Sequence, residues 1–452
     1  MQSPLVWSVA VASALSVCSD LSAQAPGTVL WEFEDPPVDV VTTPAVGTNG
    51  MVYFGDFNGG LYCVSPAGAQ VWARALPGVL TTPIAIGSQD NLFFAIGGRK
   101  LLAVASDGSD LWELDTPNDV RAPLAISQDG TVYYGCHDYH LYAVSPQGSN
   151  LWSFPTEFML WSAPVIGSDG TIYIGSQDAT VYAIWPDGSE RWRYRTFGAI
   201  TASPALGADG TVYVADDNER LYALSPSGVK QWDLLLPGFS AFTPIVLAPD
   251  GTLFVTGWGG KLAAVSSGGS VKWQIETGGT VTAAPALSSD GSIYYGTAEG
   301  VFQTLDGSGQ PLWQFTHPSG FHNAPVLTPD GTIYLGWNRL WAIAASSGPP
   351  ESGWPMLQRN PQHTGRARGQ PQIELTAPAD GSRFLPGTDI TLEASVVVSE
   401  AAISSVEFLA DGQSIGSVSA SPYRFTWLGV PVGTYALAAV ATDTLGLSST
   451  SS

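Results

Sequence analysis

Tryptophans recur along this chain at intervals of 40 or 41 residues, and this period constrains the fold more than any other feature of the sequence. The eight recurring residues are Trp31, Trp72, Trp112, Trp152, Trp192, Trp232, Trp273 and Trp313. A proline and then a turn dipeptide, most often Asp-Gly, follow in the same phase, as at Pro164 and Asp169-Gly170. Eight repeats in phase predict an architecture of similar units placed side by side.

One repeat, Ser162 to Tyr194, predicts the structure of every unit. Its four expected strands are Ala163–Ile166, Thr171–Ile174, Val181–Ile184 and Glu190–Tyr194. Tight turns rich in Asp, Pro and Gly separate the strands. The middle strands are apolar on both faces, whereas a sheet with one wet face would alternate apolar and polar residues. Four short antiparallel strands, buried on both faces, are typical of a propeller blade.

The run Tyr142-Ala143-Val144-Ser145-Pro146, with Gly148 and Trp152 after it, resembles the repeat of PQQ-type propellers. The resemblance covers about residues 28–345, within a predicted propeller domain of residues 26–348. It implies an all-β fold, an eight-bladed β-propeller of four-stranded antiparallel blades, in which each tryptophan docks between neighbouring blades. The same repeat occurs in quinone-dependent dehydrogenases and in cofactor-free scaffolds of the BamB type, so it implies a fold and leaves the activity open.

Ring closure can be predicted by counting strands. Eight proline-led units need eight tryptophan strands, and the first of these, Val29–Phe33, precedes the first unit. We therefore predict that Trp31 supplies the outer strand of the last blade. The alternative is Trp354, which follows the eighth unit after a longer connection.

The sequence after the propeller changes its pattern. Residues 349–370 are predicted to be a linker, in which Gly353–Arg366 resembles a segment that often borders such propellers. We expect it to pack Trp354 against the propeller rim, and we expect no ligand site at its His363 and Asn360. Residues 371–452, with motifs such as Val406-Glu407-Phe408, resemble a bacterial Ig-like domain, a small β-sandwich whose last strand we expect to continue beyond Ser452.

The first 25 residues are predicted to be a secretory signal peptide. The apolar run Leu5–Cys18 is too short to span a bilayer, and small residues typical of a cleavage site follow at Ser22–Ala25. The alternative is a lipoprotein modified at Cys18. Either predicts an exported protein, periplasmic, cell-surface or secreted. No other apolar run is long enough for a transmembrane helix.

Charge narrows the choice of partner. The chain has 39 acidic residues against 17 Lys plus Arg, a formal net charge of −22. Such a field repels phosphate backbones, so a nucleic-acid partner is excluded. We expect a monomer whose partner is a protein, another cell-envelope component or a glycan.

The residues that carry chemistry in quinone-dependent dehydrogenases have no counterpart in this sequence. The resemblance implies adjacent cysteines, a calcium cluster near the axis and long insertions, whereas Cys63 and Cys136 are far apart and the blades have no long insertion. The densest ligand-like cluster, Cys136 to His140, occupies the same turn as plain polar turns in other repeats, so we predict a solvated turn there. We predict no catalytic residue, cofactor or metal site. PQQ with calcium remains the alternative.

Binding is expected on one face of the disc. The Asp-Gly and Ser-Pro-x-Gly turns lie at the same strand ends and repeat monotonously, whereas the connections at the opposite ends vary, and loops on a rigid scaffold often carry function. The candidate residues there are Phe158, Met159, Trp161, Phe239, Phe242, Trp258, Phe321, His322 and Trp337. The sequence thus predicts a non-enzymatic exported scaffold for protein or envelope interactions. The alternatives are a PQQ-dependent oxidoreductase and a glycan-binding adhesin with an Ig-like spacer.

Overall fold

The computed structural model describes residues 24–33, 40, 42–239, 243–350, 352–360, 362–367, 371–397, 403–443 and 448–451. The predicted fold class is confirmed: these residues form eight four-stranded antiparallel sheets and two further sheets at the C-terminal end. No helix in the described ranges is long and apolar enough to cross a membrane.

The eight sheets are the propeller blades, and each begins with a strand of only two residues at the axis. From the inner to the outer strand, the first four blades are blade 1, β2 (Ala45–Val46), β3 (Val52–Gly55), β4 (Gly60–Val64) and β5 (Gln70–Ala75); blade 2, β6 (Ala85–Ile86), β7 (Leu92–Ile96), β8 (Lys100–Val104) and β9 (Asp110–Asp115); blade 3, β10 (Ala125–Ile126), β11 (Val132–Gly135), β12 (His140–Val144) and β13 (Asn150–Pro155); and blade 4, β14 (Val165–Ile166), β15 (Ile172–Ser176), β16 (Thr180–Ile184) and β17 (Glu190–Arg195).

The other four blades follow the same plan, except that the outer strand of the last one comes from the N-terminal end of the propeller. They are blade 5, β18 (Ala205–Leu206), β19 (Val212–Asp216), β20 (Arg220–Leu224) and β21 (Lys230–Leu235); blade 6, β22 (Val246–Leu247), β23 (Leu253–Gly257), β24 (Lys261–Val265) and β25 (Val271–Glu276); blade 7, β26 (Ala286–Leu287), β27 (Ile293–Gly296), β28 (Val301–Leu305) and β29 (Pro311–Thr316); and blade 8, β30 (Val326–Leu327), β31 (Thr332–Gly336), β32 (Leu340–Ala344) and β1 (Val29–Phe33).

Burial follows position in the blade. The second and third strands are buried along their whole length in blade 4, at β15 and β16, because neighbouring blades cover both faces of the sheet. The outer strand β17 is mostly exposed or half-buried. Blade-to-blade contact therefore supplies the core, which explains why the middle strands lack alternation of apolar and polar residues.

The ring closes through the N-terminal strand. β1 pairs antiparallel with β32, with Trp31 opposite Ala342 and Phe33 opposite Leu340. Trp31 thus lies in the outer strand of blade 8, and Trp354, the alternative for this position, lies elsewhere. The two ends of the propeller are held together by sheet hydrogen bonds.

Each outer-strand indole lies against the next blade, on the turn between its third and fourth strands. Trp112 is representative: its Nε1 donates to the carbonyl of Pro146, 2.8 Å away, and its ring covers Gly148. A Cβ on Gly148 would lie 2.7 Å from that ring, and the φ of +83° at this residue also favours glycine. At the closure, the ring of Trp313 packs in the same way on Gly27, next to β1.

The same Nε1-to-carbonyl bond joins six more pairs of blades. The pairs are Trp31 to Pro66, Trp72 to Ser106, Trp152 to Pro186, Trp192 to Pro226, Trp232 to Ser267 and Trp273 to Gly307. Each of these seven indoles therefore combines apolar contact with a satisfied N–H group, as tryptophans at interfaces usually do.

The C-terminal domain has two sheets. One contains β33 (Gln372–Ala377), β34 (Ile390–Val397) and β37 (Tyr423–Trp427); the other contains β35 (Ile403–Ala410), β36 (Gln413–Val418), β38 (Leu437–Asp443) and β39 (Ser448–Thr450). Their apolar sides share one core, in which Leu392, Val406 and Phe408 are fully buried. This is the sandwich arrangement expected of an Ig-like domain.

Candidate functional site: the variable face and the axis

The two faces of the propeller differ in regularity. One face carries the turns between first and second strands and between third and fourth strands, which adjoin: a Cβ on Gly130 would lie 3.0 Å from Pro146. We call the opposite face, formed by the turns between second and third strands and by the blade-to-blade connections, the variable face.

Aspartates on the regular face stabilise its turns. The Asp129 carboxylate accepts hydrogen bonds from the Ser127 hydroxyl and from the Thr131 backbone N–H, 3.0 Å away. Burial disfavours the charged form, but these hydrogen bonds outweigh burial and lower the pKa of Asp129. A carboxylate engaged in this way caps its own turn.

The side chains of the ligand-like cluster at Cys136 to His140 point to separate partners. Cys136 is buried, the Asp138 carboxylate accepts from the Tyr142 hydroxyl at 2.6 Å, and the His137 ring packs on Trp161 with centroids 4.7 Å apart. Burial, followed by the nearby Arg121 charge, lowers the pKa of His137. Among the described residues, no three His, Cys, Asp or Glu side chains are grouped so that they could hold a metal ion.

Aromatic side chains project from the variable face. In blades 3 and 4, Phe158 is exposed and stacks on exposed Tyr139 with centroids 5.4 Å apart, beside exposed Trp161 and half-buried Met159. Trp258 in blade 6 is 59% exposed. Together these residues form a discontinuous set of apolar contact points over several blades.

A second aromatic group lies where blade 8 meets blade 1. The Trp337 and His322 rings, both half-buried, have centroids 4.4 Å apart, and exposed Phe57 meets Trp337 edge-on at 6.1 Å. Exposed Phe197, between blades 4 and 5, packs under the Arg220 guanidinium, 5.0 Å from the ring centroid. Phe57, Tyr139 and Phe197 were missed by sequence reasoning, although their place in the variable loops could have pointed to them.

Two candidates for the binding face are wrong, because they are buried. Phe321 is fully buried and its ring lies 5.8 to 5.9 Å from those of Phe302, Phe315 and Trp341, in the core between blades 7 and 8. Phe239 is also fully buried, in the core of blades 4 to 6. Both fill the space between adjacent blades. The remaining candidate, Phe242, lies outside the described residues.

Tyrosine hydroxyls hold several carboxylates on the variable face. The hydroxyls of Tyr62, Tyr182 and Tyr222 donate to Asp56, Asp178 and Asp216 at 2.7 to 2.9 Å, as Tyr142 does to Asp138. Burial and then the neighbouring Asp56 raise the pKa of Tyr62 to about 12, so the phenol stays a neutral donor. These bonds fix the carboxylates in the turns of the variable face.

The axis is closed by the chain itself. Residues 353–360 and 362–367, which we call the axial segment, lie along the free edges of the inner strands. In five blades the backbone N–H of the last inner-strand residue donates to a carbonyl of the segment at 2.8 to 2.9 Å: Ile86 to Gln362, Ile126 to Thr364, Ile166 to Gly365, Leu247 to Trp354 and Leu287 to Pro355. In a sixth, the Gln362 amide donates to the Val46 carbonyl at 2.8 Å. Strand edges need partners, and the segment provides them.

The expectation that this segment packs against the rim is wrong. Trp354 belongs to the core of blades 4 to 6, and Met356 to the core that joins blades 7, 8 and 1. An eight-bladed ring leaves eight inner strand edges at its centre, and a segment that bonds to them satisfies backbone groups that it could not reach from the rim. The pairing of this segment with the inner strands could not be predicted from the sequence, because the strand edges come from residues scattered over the whole propeller.

Two polar side chains of the axial segment reach deeper between the blades. The Gln358 amide donates to the Leu124 carbonyl, 3.0 Å away. His363 Nδ1 lies 3.0 Å from the Ile84 carbonyl, which can only accept, so Nδ1 carries the proton. His363 Nε2 and Gln358 Oε1 are buried, and no described residue forms a hydrogen bond with either atom. Burial lowers the pKa of His363 to about 4, so the ring is neutral at pH 7.

The described residues do not fit a quinone cofactor with calcium at the axis. The axial segment fills that position, and the two described cysteines, Cys63 and Cys136, are isolated thiols buried in separate cores, with no neighbouring cysteine. Burial raises the pKa of Cys63 to about 11 and that of Cys136 to about 12, which keeps both thiols protonated.

Comparison with family models gives two matches that divide the chain as the two domains do. A model described as outer membrane protein assembly factor BamB matches residues 18–156 and 137–349, and a model described as bacterial Ig domain matches residues 371–439. A search of curated protein sequences gives no significant match.

Solved structures with the same fold are distant in sequence. BamB from Moraxella catarrhalis superposes with a TM-score of 0.61 at 17% identity, covering 70% of this chain and 100% of that one. A computationally designed protein gives a TM-score of 0.59 at 17% identity, covering 70% and 100%. A europium-containing methanol dehydrogenase gives 0.56 at 16% identity, covering 72% and 85%. At these identities the likeness establishes the fold alone.

Proposed function

This chain belongs to the family of the outer membrane protein assembly factor BamB, and from that premise we propose that it is an exported, non-enzymatic scaffold that binds protein partners of the cell envelope through its variable face. Residues 1–23, which hold most of the expected signal peptide and Cys18, lie outside the described residues. Export therefore rests on the sequence pattern and on the family.

The closed axis is the observation that carries this proposal. A quinone-dependent oxidoreductase needs a cofactor site near the axis, and here the axial segment bonds to the inner strands of six blades instead. A ligand of this propeller is then expected to bind on a surface, not in a central cavity. The surface that varies between blades is the variable face.

The aromatic contact points of that face support a protein partner. Tyr, Trp and Phe are enriched at the cores of protein interfaces, and Trp and Tyr are frequent among the few residues that dominate the binding energy. Here Phe158, Trp161 and Trp258 are exposed, on a chain whose formal net charge is −22. We infer a partner surface that offers apolar pockets flanked by basic side chains.

The experiment compares three purified full-length proteins immobilised for capture from a cell-envelope extract. Trp161→Ala with Trp258→Ala removes two contact points, and Trp185→Ala is the matched control, an exposed tryptophan on the regular face. We expect the same partner on the wild type and the control, and at least a tenfold loss on the double variant.

The outcomes separate the alternatives. Equal capture by all three proteins would exclude the variable face as the binding site. Binding to a glycan array that Trp161→Ala abolishes would favour the adhesin. Dye-linked alcohol oxidation restored by PQQ and calcium would favour the oxidoreductase and overturn the scaffold.

A further inference from the structure

One end of the Ig-like domain carries exposed apolar side chains. Leu385 is 80% exposed, Val432 84% and Leu428 70%, and Phe384 is also exposed. They are the large apolar side chains that the described part of this domain leaves exposed, and they occur in two loops, residues 378–389 and 428–436. Single exposed apolar residues are ordinary, but a group of four in a domain this small indicates a contact surface.

Sheet register places both loops at the same end. The first residue of β34, Ile390, pairs with the last residue of β37, Trp427, so the loop before β34 meets the loop after β37. The Gly429 backbone N–H donates to the Asp389 carboxylate, 2.8 Å away, and joins them. The chain enters the sandwich from the other end, where Gln372 pairs with Val397. The four side chains thus form what we call the distal apolar end.

The loop after β37 is held in place while its apolar side chains stay outside. Val430 is buried in the core of the sandwich, and Leu428 and Val432 stand exposed on either side of it. The Tyr435 hydroxyl donates to the Pro431 carbonyl at 3.1 Å, and the Tyr435 ring packs edge-on against Trp427. An anchored loop presents its apolar side chains without a large further cost of ordering.

We propose that the distal apolar end inserts into the interfacial region of a lipid bilayer with zwitterionic headgroups. All four side chains are hydrocarbons with no hydrogen-bonding group, which suits a fluid apolar medium. Four side chains expose far less than the roughly 800 Å² per partner of a stable protein interface, which argues against a second copy of this chain. This inference does not depend on the proposed function of the propeller.

The charges around the distal apolar end select the type of lipid. Asp380 and Asp389 lie in the first loop and Asp411 in the adjacent turn, against one basic residue, Arg383. Asp411 belongs to this end because its carboxylate accepts from the Ala436 backbone N–H, 2.9 Å away. Three carboxylates against one guanidinium, on a chain of net charge −22, disfavour binding to anionic headgroups.

The test is flotation of the full chain with phosphatidylcholine vesicles and with phosphatidylcholine–phosphatidylglycerol vesicles. We expect the wild type to float with the first and to bind the second more weakly. Leu385→Ser with Val432→Ser should weaken vesicle binding at least about tenfold, since burial of one such side chain alone is worth that factor. A second pair, Phe384→Ser with Leu428→Ser, should act in the same direction.

The matched control is Val229→Ser with Leu235→Ser, which removes two exposed aliphatic side chains from the propeller and should leave flotation unchanged. Trp161→Ala with Trp258→Ala should also leave it unchanged, so failure of the two proposals can be told apart. Three results would each overturn the inference: the wild type does not float, neither pair of loop substitutions reduces flotation, or the chain binds the anionic vesicles more strongly. So would concentration-dependent dimerisation, by sedimentation velocity, that the loop variants abolish.

Discussion

Replacement of Trp354 by alanine tests whether residues far outside the repeats complete the propeller. Its side chain is only 3% exposed, within the core of blades 4 to 6. Its backbone exchanges two hydrogen bonds with Leu247, of 2.8 and 3.0 Å, and alanine preserves both. The variant therefore removes the indole alone.

The expected loss of stability follows from the burial of the Trp354 side chain. A buried Trp→Ala substitution costs about 3–5 kcal/mol in free energy of unfolding, from lost transfer energy and the cavity left behind. With an m-value of roughly 5 kcal/mol/M in guanidinium, the unfolding midpoint should fall by roughly 0.6–1 M. A tryptophan that only covered the rim would be partly exposed and its loss would cost much less.

The assay is guanidinium unfolding of the full chain followed by circular dichroism in the β-sheet band. Trp185→Ala is the control, since this exposed tryptophan contacts the Arg191 guanidinium and its loss should cost less than about 1 kcal/mol. If Trp354→Ala shifts the midpoint no more than the control does, the axial segment does not hold the inner strands together and the reasoning fails.

Three further predictions address the blades and the axis. Gly148→Ala should destabilise the chain by about 1–3 kcal/mol more than Gly98→Ala, because both glycines have positive φ but only a Cβ at 148 meets a docked indole. Thermal unfolding of the two variants measures the difference, and equal losses of stability would contradict indole docking. The folded-state pKa of His363, about 4, lies below its unfolded value, so the unfolded chain binds more protons and stability should fall by roughly 3 kcal/mol as the pH drops from 6.5 to 4. His363→Gln should flatten this part of the stability–pH curve, and an unchanged slope would refute the assignment. Cys63 and Cys136 should resist a thiol reagent at pH 8 in the native protein and react in guanidinium, as mapped by peptide mass; labelling of the native chain would contradict their burial.

Much of the architecture could be predicted because each blade is a local object. About forty consecutive residues contain all four strands of blades 1 to 7, so the period, the turn dipeptides and the doubly apolar middle strands predicted the blade and the number of blades. The indole of each outer strand predicted contact between neighbours, and the docking glycines, such as Gly148, stand at a fixed offset from it.

The candidate site was harder to predict because exposure depends on how two blades meet. Trp161 and Phe321 both occupy blade-to-blade connections, yet the first is exposed and the second fills the core beside Trp341. Nothing in the local sequence distinguishes a ring that points outward from one that fits between two sheets. The space available there is set by side chains of both blades.

The sequence by itself determined the repeating unit, the eightfold count and the place of β1 in the last blade, since these follow from local hydrophobic pattern and turn chemistry. Only the tertiary structure decided that the axial segment, residues 353–360 and 362–367, closes the axis. The hydrogen-bonding groups they satisfy belong to inner-strand residues as far apart as Val46 and Leu287, and these edges face one another only when the ring has closed. Backbone groups leave no mark in the side-chain pattern, so that contact could not be predicted.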